Sequence, residues 1–159
     1  MLRTVYDAPC GKLYLAATED ALYRACWHPL DIGKEGENDV LNEARRQLDE
    51  YFSGARREFD VPLCHAGSTA FQQRVWQVLK GIPYGTTISY KAEADMLGDD
   101  KVIRAAAHAN ALNPLCVFVP CHRVIGSNGR LTGYNGGLDK KRFLLEMEKT
   151  QMSRINTKN

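Results

Sequence analysis

The chain has 159 residues, 44% of them hydrophobic and 25% charged, an ordinary globular composition long enough to bury a core without disulfides or metal. No apolar run approaches the roughly 18–20 residues of a membrane helix, and the start, Met1-Leu2-Arg3-Thr4-Val5-Tyr6-Asp7, lacks the apolar stretch of a signal peptide, so a cytoplasmic protein with no membrane partner is expected. The net charge of +2 conceals an asymmetry: residues 1–65 hold 8 basic and 12 acidic side chains (net −4), and residues 66–159 hold 13 and 7 (net +6), which makes a polyanion a candidate partner of the second half, with an unevenly charged solvated surface as the alternative.

Lys12 to Thr18 alternates, with Leu13, Leu15 and Ala17 on one face, and reads as a strand. Glu19-Asp20 turns the chain into a second strand from Ala21 to Trp27, giving a hairpin. Pro29 to Asn38 reads as an exposed loop, and Asn38 caps a helix carrying Leu41, Ala44, Leu48 and Phe52, ended by Gly54. Arg57 to Val61 is a candidate return to the sheet. Pro62 to Gly67 is a candidate linker, so the predicted domains are 1–65 and 66–150, followed by a polar, frayed tail over 151–159.

Thr69 and Gln72 form a predicted capping box ahead of a stripe of Phe71, Val75, Trp76 and Leu79, stopped by Gly81 and Pro83. Ser89 caps a short helix through Leu97, and Gly98-Asp99-Asp100 breaks it before a helix over Lys101 to Asn110. Two short helices about a glycine-containing turn suggest a helix-turn-helix, whose second helix enters a DNA groove. Here that helix is smooth, with Ala105, Ala106, Ala107 and Ala109 around Arg104. Such a surface suits close approach to DNA with little reading of sequence, and it equally suits a helix buried in the protein.

Leu115 to Val119 is a predicted buried strand, Gly126 to Gly137 a loop, and Asp139 the cap of a last helix with Phe143, Leu144 and Met147 inward. Lys140-Lys141-Arg142 reads as a solvated face. The five cysteines, Cys10, Cys26, Cys64, Cys116 and Cys121, include no C-x-x-C pair, and free thiols are expected. A zinc site from Cys10, Cys26, His28, Cys64 and His65 lacks the usual ligand spacing, so no metal is expected.

Pro120-Cys121-His122-Arg123 stands where the buried strand meets the glycine-rich loop, a place where a rigid element positions a reactive group and a loop exposes it. A cysteine nucleophile needs a base or cation to form the thiolate. On these grounds Cys121 is either a nucleophile or a structural thiol, and Cys116 is core.

Pro120-Cys121-His122-Arg123-Val124 resembles the active-site signature of the methylated-DNA–protein-cysteine methyltransferases, the O6-alkylguanine-DNA alkyltransferase family. The similarity extends in register to Ile88-Ser89-Tyr90, to Arg104-Ala105-Ala106 through Asn113-Pro114, to Gly133-Tyr134-Asn135-Gly136-Gly137, and to Leu144-Leu145 with Glu148. The resemblance is looser over 1–65, carried mainly by Pro9 and Gly11. It implies an α+β fold: a small N-terminal sheet-plus-helix, ribonuclease-H-like domain, then a mainly helical, winged helix-turn-helix-like domain for DNA binding and catalysis.

The activity it implies is repair by direct reversal, a single transfer of the alkyl group of O6-alkylguanine in duplex DNA to Cys121, by a monomer without cofactor. In that reading His122, through a water, and Glu148 form a relay to Cys121. Tyr90 turns the nucleotide out and hydrogen-bonds it, Arg104 fills the vacated stack, and Ala105 and Arg123 lie at the DNA. Asn113 ties the helix to the active-site strand, and Val124, Tyr134 and Asn135 line the base pocket. Many relatives carry serine where Asn135 stands, and Thr18 stands where some relatives have a zinc ligand. The alternatives are a non-catalytic protein that binds alkylated bases and flags them for another pathway, which the presence of Cys121 opposes, and a cysteine hydrolase on an unrelated fold.

Overall fold

A computed structural model describes residues 1–157, which divide into two compact units: Met1–Ala66 with Pro114–Phe118, and Gly67–Asn113 with the chain from Val119 onward. The first unit is a four-stranded sheet of β1 (Leu2–Ala8), β2 (Gly11–Ala17), β3 (Leu22–Cys26) and β4 (Lys34–Glu35), in the order β3-β2-β1-β4. β2 pairs antiparallel with both β1 and β3, and β4 is parallel to β1. The expected β2–β3 hairpin is present, and Leu13, Leu15 and Ala17 are fully buried. β1 is an additional strand that sequence pattern does not single out, because Tyr6 is its one buried residue.

The helix α1 (Asp39–Ser53) starts where expected. Asn38 accepts the Leu41 N–H at 2.8 Å, and Gly54 ends it in the left-handed conformation (φ 85°). Its inward side chains are Leu41, Ala44, Leu48 and Tyr51, a stripe at i, i+3, i+7, i+10 that brings Tyr51 inside and leaves Phe52 half-buried, packed edge-on against it. Each fully buried leucine of this kind is worth about 1.5–3 kcal/mol of apolar transfer. Arg57 to Val61 does not return to the sheet. Buried Gln47 holds Asp60 through both ends of its carboxamide, and the chain meets β3 later, where Leu63 bridges to Leu22 through the Pro62 carbonyl and the Cys64 N–H. Leu115 to Val119 is buried as expected but is not a regular strand: Leu115 alone bridges to Ala25, and Val117 adopts φ 74°.

The second unit begins with α2 (Ala70–Lys80), whose capping box forms in both directions, Thr69 with Gln72. α3 (Tyr90–Met96) is capped by Ser89. One 3₁₀ turn, Asp100–Val102, capped by Asp99, leads into α4 (Ile103–Ala111). Two short strands, β5 (Ile88–Ser89) and β6 (Val124–Ile125), pair in parallel. α5 (Leu138–Thr157) closes the unit.

Two expectations about α5 need correction. The stretch expected to fray from residue 151 is helical through Thr157; it contains no Gly or Pro, and Met152 lies against Gly85. Residues 158–159 of that predicted tail lie outside the described residues. Asp139 sits inside the first turn of α5, where its charge favours the helix N-terminus, instead of at the cap. Among the described residues no helix is long and apolar enough to cross a membrane, and no three His, Cys, Asp or Glu side chains are grouped to hold a metal ion.

Candidate active site

The 3₁₀ turn Cys121–Arg123 directly follows Pro120 and precedes β6. All three side chains of this turn are buried: Cys121 is 6% exposed, His122 0% and Arg123 6%. His122 and Arg123 converge on a single carboxylate. Glu148 Oε2 lies 2.8 Å from His122 Nε2 and 3.0 Å from Arg123 Nη2, while Oε1 accepts Arg123 Nε at 2.8 Å and the Gly85 N–H at 3.3 Å. Arg123 Nη1 donates to the Ile82 carbonyl at 2.8 Å.

Burial alone would raise the Glu148 pKa, but His122 and Arg123 outweigh it and hold the carboxyl well below its ordinary range. Burial pushes His122 down, against the attraction of Glu148 and with the repulsion of Arg123 and Lys141. Arg123, permanently charged, already neutralises Glu148, so a buried imidazolium would add an uncompensated positive charge. His122 is therefore neutral. Its Nε2–H is committed to Glu148, which leaves the Nδ1 lone pair available; Nδ1 is buried and has no hydrogen-bond partner in the protein.

The expectation that Arg123 lies at the DNA does not hold in this geometry. Its guanidinium is enclosed and bound to Glu148 and the Ile82 carbonyl, so it orders the carboxylate of Glu148 instead of presenting charge outward. Lys141, expected on a solvated face, is also internal, 1% exposed. Its Nζ donates to the carbonyls of Val124 (2.7 Å), Thr132 (3.0 Å) and Gly133 (3.3 Å). Burial lowers its pKa against the attraction of Cys121 and Glu93. Sequence reading missed it because a K-K-R run at a helix start is ordinarily solvated. The available signal was its spacing, since Lys141, Leu144 and Glu148 fall on one face of α5, and all three are buried.

Tyr90 opens α3 immediately after β5, and the pairing of Ile88 with Val124 and Ser89 with Ile125 carries it to the cysteine segment. Its hydroxyl donates to the Thr132 carbonyl at 2.9 Å, and the Lys141 ammonium stands 5.8 Å from its ring centroid. Burial raises the Tyr90 pKa, so the phenol stays protonated. Asn113 is buried and its Nδ2 donates to the Val119 carbonyl at 2.8 Å, fastening the end of α4 to the residue before Pro120. Arg104, Ala105 and His108 form an exposed face of α4.

A cavity of about 630 Å³ joins these groups: Tyr90, Arg104, Cys121, Tyr134 and Asn135 all line it. Val124 is fully buried and held through its carbonyl by Lys141. A cavity of similar size on the first unit, lined by residues such as Arg3, Val5 and Tyr14, has no cysteine in its lining.

A cysteine opening onto a cavity, next in sequence to a histidine that a buried carboxylate orients, is an arrangement that can serve a cysteine nucleophile. Beside it stands a pair of short helices. Comparisons with known proteins specify the family. The family model for the DNA-binding domain of 6-O-methylguanine DNA methyltransferase matches residues 70–150, and that for its ribonuclease-like domain matches residues 1–64. The methylated-DNA–protein-cysteine methyltransferase of Mycobacterium leprae is 46% identical over 151 residues, covering 92% of this chain and 91% of the relative. The constitutive enzyme of Bacillus subtilis is 43% identical, covering 92% and 94%. The crystal structure of Mycobacterium tuberculosis OGT in complex with DNA superposes with a TM-score of 0.87 at 42% identity, over 95% and 94% of the two chains. The chain belongs to the 6-O-methylguanine DNA methyltransferase family.

Proposed function

We propose that this protein repairs duplex DNA by moving the alkyl group of O6-alkylguanine onto Cys121, once per molecule. The observation that carries the reading is the order Cys121–His122–Glu148, with the histidine bound to the carboxylate behind it and Cys121 at the wall of a cavity that Tyr90 and Arg104 also line. A tautomer fixed by Glu148 leaves His122 Nδ1 to take the Cys121 proton through a bridging water. The thiolate sulfur attacks the alkyl carbon, the S–C bond forms as the C–O6 bond breaks, and the purine leaves as an anion that gains a proton at N1. The proton lost by Cys121 balances the one gained by the base. The product is a thioether, a poor leaving group, so no second step regenerates the thiol. The presence of the reactive cysteine disfavours a purely lesion-flagging role.

A nucleophile enclosed in a cavity cannot reach an atom inside an intact duplex, so the base must be extruded. In this reading α3 and α4 act as a helix-turn-helix. The small exposed face of α4 around Ala105 approaches the minor groove closely, and Arg104 enters the stack vacated by the base. Tyr90, Tyr134 and Asn135 surround the extruded base, and Asn113 keeps α4 in register with Cys121. Binding is expected to be modest, salt-dependent and tolerant of sequence, since phosphate contact supplies most of it. One chain suffices for the site, consistent with a monomer that needs no cofactor.

The test is intact-mass measurement after mixing with a duplex containing O6-methylguanine. A gain of one methyl per chain, mapped to Cys121 and abolished in Cys121→Ala with DNA binding retained, is the expected result. Continued turnover, or methyl acceptance by Cys121→Ala, overturns the assignment.

A further inference from the structure

α3 and α4 are joined by two buried polar side chains that the reaction above does not use. Asn110 on α4, 7% exposed, donates from Nδ2 to Oε1 of Glu93 on α3 at 2.9 Å, and Glu93 is fully buried. The other end of each side chain is an orphan. Glu93 Oε2 and Asn110 Oδ1 are both shut off from solvent, and neither has a hydrogen-bond partner within the protein. Two unpaired buried acceptors are unfavourable, and such groups are ordinarily satisfied. A carboxylate has no proton to give, whereas a carboxylic acid carries one O–H donor. A single proton on Glu93 Oε2 therefore supplies the one donor that this pair lacks.

Resting on the functional reading above, we propose that Glu93 is a positioning residue that holds a proton on Oε2 and donates it to Asn110 Oδ1, closing a two-point acid–amide clasp that keeps Tyr90 on α3 and Arg104 on α4 placed for methyl transfer from duplex DNA. In the clasp each side chain donates once and accepts once, and no orphaned atom remains. Glu93 lies one turn after Tyr90, and Asn110 stands in the last turn of the helix that Arg104 opens. Burial pushes the Glu93 carboxyl up to about 7, against the hydrogen bond from Asn110 and the charge of Lys141. The clasp is therefore closed on the acid side of neutrality. On the alkaline side the proton is lost, two acceptors face each other, and a negative charge is buried between the helices. The titratable groups that reach Glu93 are Lys141 of α5 and Tyr90 of its own helix. β5 and β6, which also pack on α3, bring no charged side chain. The charged side chains of α2, of α4 and of the 100–102 turn are exposed.

The experiment has an arm without DNA and an arm with it. Infrared spectra of the unaltered protein should show, at about pH 6, the carbonyl band of a buried protonated carboxyl group that is gone by about pH 8.5 and is missing from Glu93→Gln at both values. Absence of that band at about pH 6 overturns the proposal. The second arm is single-turnover methyl transfer from a duplex carrying O6-methylguanine, read as the rate of Glu93→Gln divided by that of the unaltered protein, so that the titration of Cys121 and His122 cancels. Glutamine accepts at Oε1 and donates from Nε2, and so keeps both hydrogen bonds at every pH. The ratio should lie within about twofold of unity at about pH 6 and reach at least about fivefold at about pH 8.5. A ratio that stays flat overturns the positioning role. The double variant Glu93→Leu/Asn110→Leu removes both polar partners and leaves no orphaned group. Its rate, divided by that of the unaltered protein, should rise with pH in the same way, and a flat ratio there overturns the role even if Glu93→Gln folds poorly. If the band is present but the unaltered protein takes no methyl from the duplex at any pH, the reading of Cys121 has failed and the clasp stands.

Discussion

Arg123 and Glu148 close a two-point ion pair, at 2.8 and 3.0 Å, inside a unit where both side chains are nearly excluded from water. The carboxylate that orders His122 is thereby held as an anion by a partner that cannot lose its charge. Removing one member of such a pair leaves an unpaired buried charge.

Arg123→Ala should therefore destabilise the protein by about 3–5 kcal/mol, with a smaller loss for Arg123→Lys, which keeps the charge but not the planar fork. Urea denaturation measures both. At temperatures where Arg123→Lys is folded, its affinity for undamaged duplex should match that of the unaltered protein. A large loss of affinity in a folded Arg123→Lys would return the residue to the DNA surface.

Lys141 acts on the same site from the other end of its helix. Three carbonyls, of Val124, Thr132 and Gly133, converge on its Nζ, and Thr132 also accepts from Tyr90. Lys141→Met removes the donor these carbonyls share, leaving that of buried Val124 unsatisfied, and takes away the cation whose attraction to Cys121 is felt at the site. The expected result is about 1–3 kcal/mol of lost stability, faster proteolysis within residues 126–137, and a methyl-transfer rate lowered at least tenfold. Unchanged protease sensitivity of that loop would contradict the clamp.

Arg104 is exposed, so Arg104→Ala should leave stability within about 0.5 kcal/mol. If the residue enters the base stack, methyl transfer should slow well over tenfold, while affinity for undamaged duplex falls only slightly. Replacing a phosphate-contacting residue would instead weaken binding uniformly and reduce the salt slope by about 1. Affinity across a salt titration, set beside the single-turnover rate, separates the two.

Local signals made much of the structure legible in advance. Asn38 and Thr69 are caps whose geometry is set within three residues, and both form. Cys121, His122 and the helix pair were readable as candidates because their motifs are contiguous. What escaped depends on long-range packing. β1 buries little, so its alternation is weak. The 57–61 segment is captured by Gln47, from another element, instead of by the sheet. Lys141 and Arg123 carry charges that composition places outside, and the carbonyls or carboxylate that make their burial tolerable lie 8 to 41 residues away. The Glu93–Asn110 pair escaped for the same reason, being 17 positions apart and on two helices.

That pair also gives the stability a pH signature that can be isolated. Burial raises the Glu93 pKa to about 7, against the hydrogen bond from Asn110 and the charge of Lys141, whereas in the unfolded chain it titrates near the ordinary 4.5. Between these values the folded state binds the extra proton, so stability falls as pH rises from about 4.5 to about 7 and is constant above. His122, lowered by burial, and Glu148, lowered by its partners, have the opposite sign: the unfolded chain binds their protons first, and stability is lost as pH falls below about 6.5 and about 4.5 respectively. Glu93→Gln removes only the first contribution and keeps an acceptor for Asn110. Measured by urea denaturation, this variant should be more stable than the unaltered protein at pH 8, by on the order of 2–3 kcal/mol, with the advantage shrinking toward zero near pH 5. A difference that does not change between pH 5 and pH 8 would show that Glu93 is not the titrating group.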